Sequence, residues 1–337
     1  MTSSILEVHE SLSEDTVLYR TTDFFSAAAI ITNRELMFSR ADTFSDRNEG
    51  IDRLLLQLEA STPGSGCGMG WHDGQTARAH HEQVKRSHYI SCWSLNPESV
   101  AMWSLYSPDC CSVRISTTAS KLRCAMQALL EKYSVARLSK NDLQRRVIVS
   151  TAGHIAPVEY ASLSSITRRV TRRAKAHRRI AERYARHGKA IPLLTEVGPR
   201  YFEREQQRRF TELRTTCRLK DTSFSHEAEV RLIVRLGEET CSTGILERQA
   251  LLDPNHQYHS VLKDDLRFWG FVSSESLPHR EFVPCPRDLV HTVAIDPRCP
   301  PHKATFMREW FRHHGIHVVE SACFGYLPDS FEVYPEW

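Results

Sequence analysis

The sequence predicts an α+β fold in which two strand-rich parts flank a largely helical, basic insertion. Three observations carry this prediction. Short runs of β-branched, aliphatic and aromatic residues, closed by turn formers, lie before residue 118 and again after residue 216. Long, charged, helix-favouring sequence fills the stretch between them. No internal repeat or low-complexity tract interrupts either kind. The strand-rich core is accordingly assigned to residues 1–118 and 216–337, and the insertion to 119–215.

In chain order, "TVLYRT" (Thr16 to Thr21) reads as a short strand. "DFFSAAAIITNREL" reads as a helix with Asp23 as N-cap and Ala27, Ile30 and Ile31 facing inward. "LMFSRADTFSDRNEG" continues as a strand and an acidic turn ended by Gly50. "SHYISCWSL" (Ser87 to Leu95) predicts a strand that alternates Tyr89, Ser91 and Trp93 against Ile90, Cys92 and Ser94. "CCSVRIST" predicts another, and "HIAPVEY" is a β-like segment inside the insertion. "LIVRL", "RFWGFV" and "TVAIDPR" read as later strands. "PPHKATFMREWFRHHGI" is a helix with Pro at its start and Gly at its end, and "FEVYPEW" is a weak final strand.

Composition narrows the function classes. At 337 residues the chain can bury a full core, and its 41% apolar and 25% charged content is that of a globular protein. A net charge of only +3 makes no global demand for nucleic acid, so any such preference must come from local clustering. The opening "MTSSILEVHESLSEDT" has neither a basic nor a long apolar region, and no later segment is long and apolar enough to span a bilayer. The expectation is a cytoplasmic protein without a membrane partner. The ten cysteines form no C-x-x-C pair, and the adjacency of Cys110 and Cys111 argues for reduced thiols over a disulfide framework. The histidine-rich "CGMGWHDGQTARAHHE" fits no zinc spacing and reads as a loop, so no metal site is assigned.

The sharpest charge feature is "ITRRVTRRAKAHRRIAERYARHGK" (Ile166 to Lys189). Wound as a helix, it places Arg168, Arg172, Lys175, Arg179, Arg183 and Arg186 at spacings of three and four, on one stripe. Such a stripe either tracks the phosphates of RNA or DNA, docks an acidic partner, or is a solvated face whose arginines pair with acids elsewhere in the fold.

A second feature is "TSFSHEAEVRLIV" (Thr222 to Val234), where Glu227 and Glu229 stand at the mouth of a hydrophobic strand. Residues two apart in a strand share a face, so two acids placed there would raise each other's pKa and lose solvation together. They are either a solvated lip that blunts an edge strand or a pair kept for chemistry. Other singular polar residues are Arg20, at the end of an apolar strand, and Ser91, between aromatics that can wall a pocket.

The segments "LYRTTDFFSAAAIITNRELMFSRADTFSDRNEG", "YISCWSLNPESVAMWSLYS" and "LKDTSFSHEAEVRLIV" resemble, in order, blocks of a bacterial domain-of-unknown-function family that includes phage abortive-infection proteins. They cover roughly a quarter of the chain. More distantly they resemble the arginine–serine–glutamate class of mono-ADP-ribosyltransferases. Arg20 stands for its first-strand arginine, "YISCW" for its aromatic–hydrophobic–Ser–Thr–Ser strand with Ser91 at the first serine, and Glu227 and Glu229 for its E-x-E turn. Cys92 and Trp93 depart from the pattern at its next two places.

The resemblance implies an ADP-ribosyltransferase-like split β-sheet core and NAD as cofactor. Cleavage of the nicotinamide–ribose bond passes through a cation-like state that Glu229 would stabilise. Ser91 would hold that carboxylate, Arg20 would grip a phosphate or the adjoining ribose, Tyr89 or Trp93 would stack near nicotinamide, and Glu227 would receive the acceptor or its proton. The implied protein is a toxin or anti-phage effector acting on a macromolecule, with RNA or DNA favoured by the basic helix and with an antitoxin or regulatory partner. The competing class is a nucleic-acid-binding protein or magnesium nuclease using Asp42, Asp46 and Glu49 beside the acid pair.

Overall fold

Asp23 ends one strand and begins the first helix: its extended backbone leaves the side chain free to accept the Ser26 N–H at 2.9 Å, as an N-cap requires. The computed structural model describes residues 5–46, 48–52, 81–82, 85–133, 137–138, 147–187, 216–239, 253, 255 and 277–325. The strands are β1 (Ile5–Val8), β2 (Val17–Asp23), β3 (Glu35–Arg40), β4 (His88–Ser94), β5 (Ser112–Thr118), β6 (Arg137–Leu138), β7 (Val147–Pro157), β8 (Glu159–Tyr160), β9 (Leu219–Lys220), β10 (Glu229–Glu239), β11 (Arg280–Pro284), β12 (Thr292–Ile295) and β13 (His317–Val319). The helices are α1 (Phe24–Asn33), α2 (Val100–Tyr106), α3 (Ala119–Lys132), α4 (Leu163–Arg186) and α5 (Pro301–His313). The expected strands at 267–272 and 331–337 lie outside the described residues, as does most of the histidine-rich stretch 67–82.

The architecture is α+β, built on one large mixed sheet. Its main path runs β1, β7, β10, β4, β2, β5, β12, β13, antiparallel except for the β1–β7 and β12–β13 pairs. The stretch expected to be a helical insertion gives α3 and β7 to this framework, and β7 pairs with β10 along nearly its whole length. "HIAPVEY" is thus the end of a central strand and the start of β8. Of the described residues of that stretch, those from Leu163 onward run out as α4.

One face of α3 buries Leu122, Ala125, Met126, Leu129 and Leu130 against the sheet, in the same cluster as Leu18, Val113, Ile115, Ile155, Val230 and Leu232. α5 adds Ala304, Met307 and Phe311 at helical spacing, and α1 adds Phe24, Ala27 and Ile30. Gly153 in β7 is what lets α3 come close: a Cβ there would stand 2.8 Å from the Met126 methyl and 2.9 Å from Leu130 Cδ1. Gly153→Val should therefore destabilise the fold by about 1–3 kcal/mol through overpacking, read as a lower midpoint in denaturant unfolding with an unchanged slope.

The feature that makes a site is a fork beside β4. One edge of β4 pairs with β10 along its whole length. The other edge is shared: β2 pairs with it at Tyr19 and Ser94, while β3 pairs at Ser39 with Ile90 and at Arg40 with Tyr89. Among the described residues no strand pairs with Ser91, Cys92 or Trp93 on that edge. Among the described residues no helix is long and apolar enough to cross a membrane.

Candidate functional site

A cavity of about 580 Å³ opens at this fork. Its walls include Arg20 from β2, Ser91, Cys92 and Trp93 from β4, Tyr106 from α2, Lys220 from β9, Glu227, and Glu229 and Arg231 from β10. Strands remote in sequence thus gather Arg20, Ser91, Trp93, Glu227 and Glu229 at one cavity.

Arg20 is half-buried, and among the described residues no carboxylate lies within ion-pair distance of it. Its Nη1 donates one long bond, 3.4 Å, to Ser91 Oγ, and its guanidinium lies 5.9 Å from the Trp93 ring centroid. Burial pulls the Arg20 pKa down, against the longer-range pull of Cys92 and Asp23. An arginine left this poorly satisfied at a cavity wall has donors to spare for an anion.

The acids are arranged differently from the expectation of two neighbours on one strand face. Glu227 closes a 3₁₀ turn, Thr222–Glu227, and Ala228 takes a left-handed backbone with φ of 42°. Only Glu229 belongs to the strand. The chain turns between them, and a cation instead joins the two carboxylates: Lys220 Nζ stands 2.6 Å from Glu227 and 3.1 Å from Glu229. Arg231, two residues along the same strand face, donates to Glu229 through Nε at 2.8 Å and Nη2 at 3.3 Å. Its other side forks onto Glu49, with Nη1 at 2.5 Å and Nη2 at 2.9 Å, and Nη1 also reaches the Cys217 carbonyl.

This wiring reverses the predicted electrostatics. Burial pushes the Glu229 carboxyl up, but Arg231 and Lys220 outweigh it and hold the group below the usual carboxylate range. Burial likewise pulls Lys220 down, and Glu229 and Glu227 raise it above the ordinary lysine value. Burial first and Glu229 second push the Cys92 thiol well up, so it stays protonated beside that carboxylate. The Tyr106 phenol is raised by burial and by Glu227, and donates to Glu227 Oε1 at 3.0 Å. At their ordinary charges, Glu49, Glu227 and Glu229 against Lys220 and Arg231 leave one surplus negative charge. Glu227 and Glu229 are each only 5% exposed, which removes the reading of a solvated lip.

Ser91 does not touch Glu229. It pairs across the sheet with Leu232, on the face opposite that of Glu229 and Arg231, and its hydroxyl accepts from Arg20 and, at 3.2 Å, from Trp93 Nε1. The serine beside the acids is Ser94, whose hydroxyl donates to the Glu227 carbonyl at 2.6 Å. Tyr89 is absent from the cavity: it is fully buried in the main core and its hydroxyl donates to the Pro278 carbonyl at 2.6 Å. Of the two aromatics expected at the cavity only Trp93 lines it, together with Tyr19, Phe44 and Tyr106.

The acids of the nuclease alternative are engaged elsewhere. Asp42 accepts from Arg40 at 2.7 and 2.9 Å, Asp46 accepts the Asn48 N–H, and Glu49 is spent on Arg231. Among the described residues no group of three His, Cys, Asp or Glu side chains is placed to hold a metal ion.

Lys220, Arg231, Tyr106 and Ser94 were not among the site residues expected from sequence, and Glu49 was expected only as an acid of the nuclease alternative. A signal existed for one of them: in "EVRLIV" an arginine inside a buried strand, two residues from Glu229, requires an acid on its own face. No family model, no curated protein and no solved structure matches the chain.

Proposed function

We propose that the chain is an NAD-dependent mono-ADP-ribosyltransferase whose cavity lies in the fork of the sheet. The observation that carries this reading is the dipolar cavity. One wall offers a guanidinium with no carboxylate partner among the described residues, and another carries a buried acid pair with one surplus negative charge. A ligand that suits both carries an anionic phosphate group and, apart from it, a cationic ring, as NAD does in its pyrophosphate and its nicotinamide. The volume falls within the range of roughly 300–1,000 Å³ usual for small-molecule sites. The fork beside β4 also supports the split-sheet core implied by the resemblance.

When bound, NAD supplies a ribose carbon that gains positive charge as nicotinamide leaves. Each residue then has a task set by its surroundings. Arg20 donates to a phosphate oxygen, for which it has spare N–H groups. Glu229, clamped by Arg231 and Lys220, is a fixed negative charge in a water-poor wall and needs no reorganisation to stabilise developing cation charge. Glu227 takes one bond from Lys220 and one from Tyr106, so about half of its lone-pair capacity remains to receive a proton from the acceptor. Trp93 supplies an aromatic wall, and Lys220 bridges the two carboxylates. The resemblance to abortive-infection proteins makes an effector of the toxin or phage-defence type the expected setting.

The test is NAD binding followed by titration of its determinants. NAD should raise the unfolding temperature of the wild-type protein, since a ligand that binds only the folded state stabilises it by mass action. Arg20→Ala should weaken NAD binding by about 1.5–3 kcal/mol, the value of a lost charge-assisted hydrogen bond, and leave the ligand-free unfolding temperature nearly unchanged. Absence of any NAD-dependent stabilisation of the wild-type protein would end the reading.

A further inference from the structure

The geometry points to α4 as a docking surface for duplex DNA, a property that stands whether or not the cavity takes NAD. Residues 163–186 contain nine arginines and lysines and one acid, Glu182. Arg168, Arg172, Lys175, Arg179, Arg183 and Arg186 are all exposed, as is Arg178. The expectation that these arginines pair with acids elsewhere in the fold finds little support among the described residues. The ion pair there is Arg186 with Glu182, long at 3.9 Å and on the same helix. Like charges at spacings of three and four repel along a helix, so a polyanion that covers the stripe relieves that repulsion.

Where α4 begins is fixed by the acid site. The Leu163 N–H donates to Asp221 Oδ2 at 3.0 Å, and Asp221 also accepts the Ser223 N–H that starts the turn carrying Glu227. Tyr160, just before the helix, accepts the Glu229 N–H at 2.8 Å and pairs with Lys220 across β8 and β9. The helix is therefore held at its root, and its stripe runs outward over about 27 Å at 1.5 Å per residue.

Duplex DNA is the occupant that this shape and charge fit. A helix of about 10–12 Å diameter fits a B-form major groove about 12 Å wide, whereas A-form RNA has a major groove too narrow for side chains to read. The duplex also offers one phosphate charge per about 1.7 Å, a density that a row of six cations one turn apart can neutralise locally. A docked duplex would lie against the exposed stripe, rooted beside Glu227 and Glu229.

Fluorescence anisotropy with a labelled, mixed-sequence DNA duplex tests this in the full chain. Six phosphate contacts predict a slope of log affinity against log salt near −5, hence roughly a thousandfold loss between about 50 and 200 mM salt. Arg172→Gln, Lys175→Gln and Arg179→Gln together should flatten the slope to about −2.7, leaving a loss of only about fortyfold over the same interval. Arg172→Lys with Arg179→Lys, Lys175 kept, should retain the wild-type slope, since backbone contact needs charge and not a guanidinium. The triple variant should keep its unfolding temperature because all three residues are exposed. Failure of the wild-type protein to bind the duplex would overturn the proposal, as would an unchanged slope in the folded triple variant. Tighter binding of single-stranded RNA of the same length, or of polyglutamate, would likewise overturn the assignment to duplex DNA.

Discussion

Glu229→Gln is expected to lower NAD-dependent transfer by roughly 10²- to 10³-fold, the loss typical when a preorganised electrostatic group aimed at developing charge is removed. The substitution keeps the shape and one carbonyl oxygen, so Arg231 Nε retains its acceptor. What disappears is the negative charge that Arg231 and Lys220 hold in place at 2.8 and 3.1 Å. The new amide must face one of these two donors, which costs about 1–3 kcal/mol of stability for the mismatched buried group. Activity is therefore compared under conditions where denaturant curves show the variant folded. NAD affinity should fall less than turnover, because Arg20 still grips the other end of the ligand. Glu227→Gln serves as the partner experiment. Its oxygen can still accept from Lys220 and its amide can donate to a rotated Tyr106 hydroxyl, so the fold should tolerate it while transfer to an acceptor is lost. A folded Glu229→Gln protein with full transfer would remove that residue from the chemistry.

Arg231→Met should destabilise the protein by about 3–5 kcal/mol, the cost of stranding buried charges by deleting their common partner. Arg231 is 1% exposed and binds Glu49 and Glu229 through separate edges of one guanidinium, so its removal strands Glu49 and leaves Glu229 to Lys220 alone. The pH dependence identifies the cause. In the wild-type protein Glu229 has a folded pKa below its ordinary value, so its contribution is present at neutral pH and is lost as pH falls through that depressed value. Lys220 has a raised pKa, so its contribution is present at neutral pH and is lost only as pH rises through the raised value. Without Arg231, burial of Glu229 would be opposed by Lys220 alone, and mild acid would relieve the variant by protonating that carboxylate. The deficit of Arg231→Met measured by urea unfolding should accordingly shrink as pH is lowered toward the carboxylate range. A deficit that is constant with pH would mean that Arg231 acts through packing alone.

Local physics made several features of this protein legible from sequence. Asp23 caps α1 because a short acceptor before an apolar helix has one good place to put its oxygen. Ala27 and Ile30 face the core because they repeat at helical spacing, and β4, β5, β10 and β12 form where β-branched and aromatic residues cluster between turns. The exposed cations of α4 follow from the same periodicity. Arg20, Ser91, Trp93, Glu227 and Glu229 stood out as polar or aromatic groups placed awkwardly in apolar elements, and all five line one cavity. The placement of β7, the fork beside β4 and the charge state of the acids were decided only by tertiary structure. β7 lies in sequence beside α3 and α4, and only long-range pairing with β10 makes it central. The fork depends on β2 and β3 meeting different ends of β4, which no local pattern encodes. Glu229 is ionised below its ordinary range because Lys220 and Arg231 converge on it, while Glu49 anchors Arg231 from 182 residues away in sequence. Coulomb energy depends on distance in space, and distance along the chain carries almost none of that information.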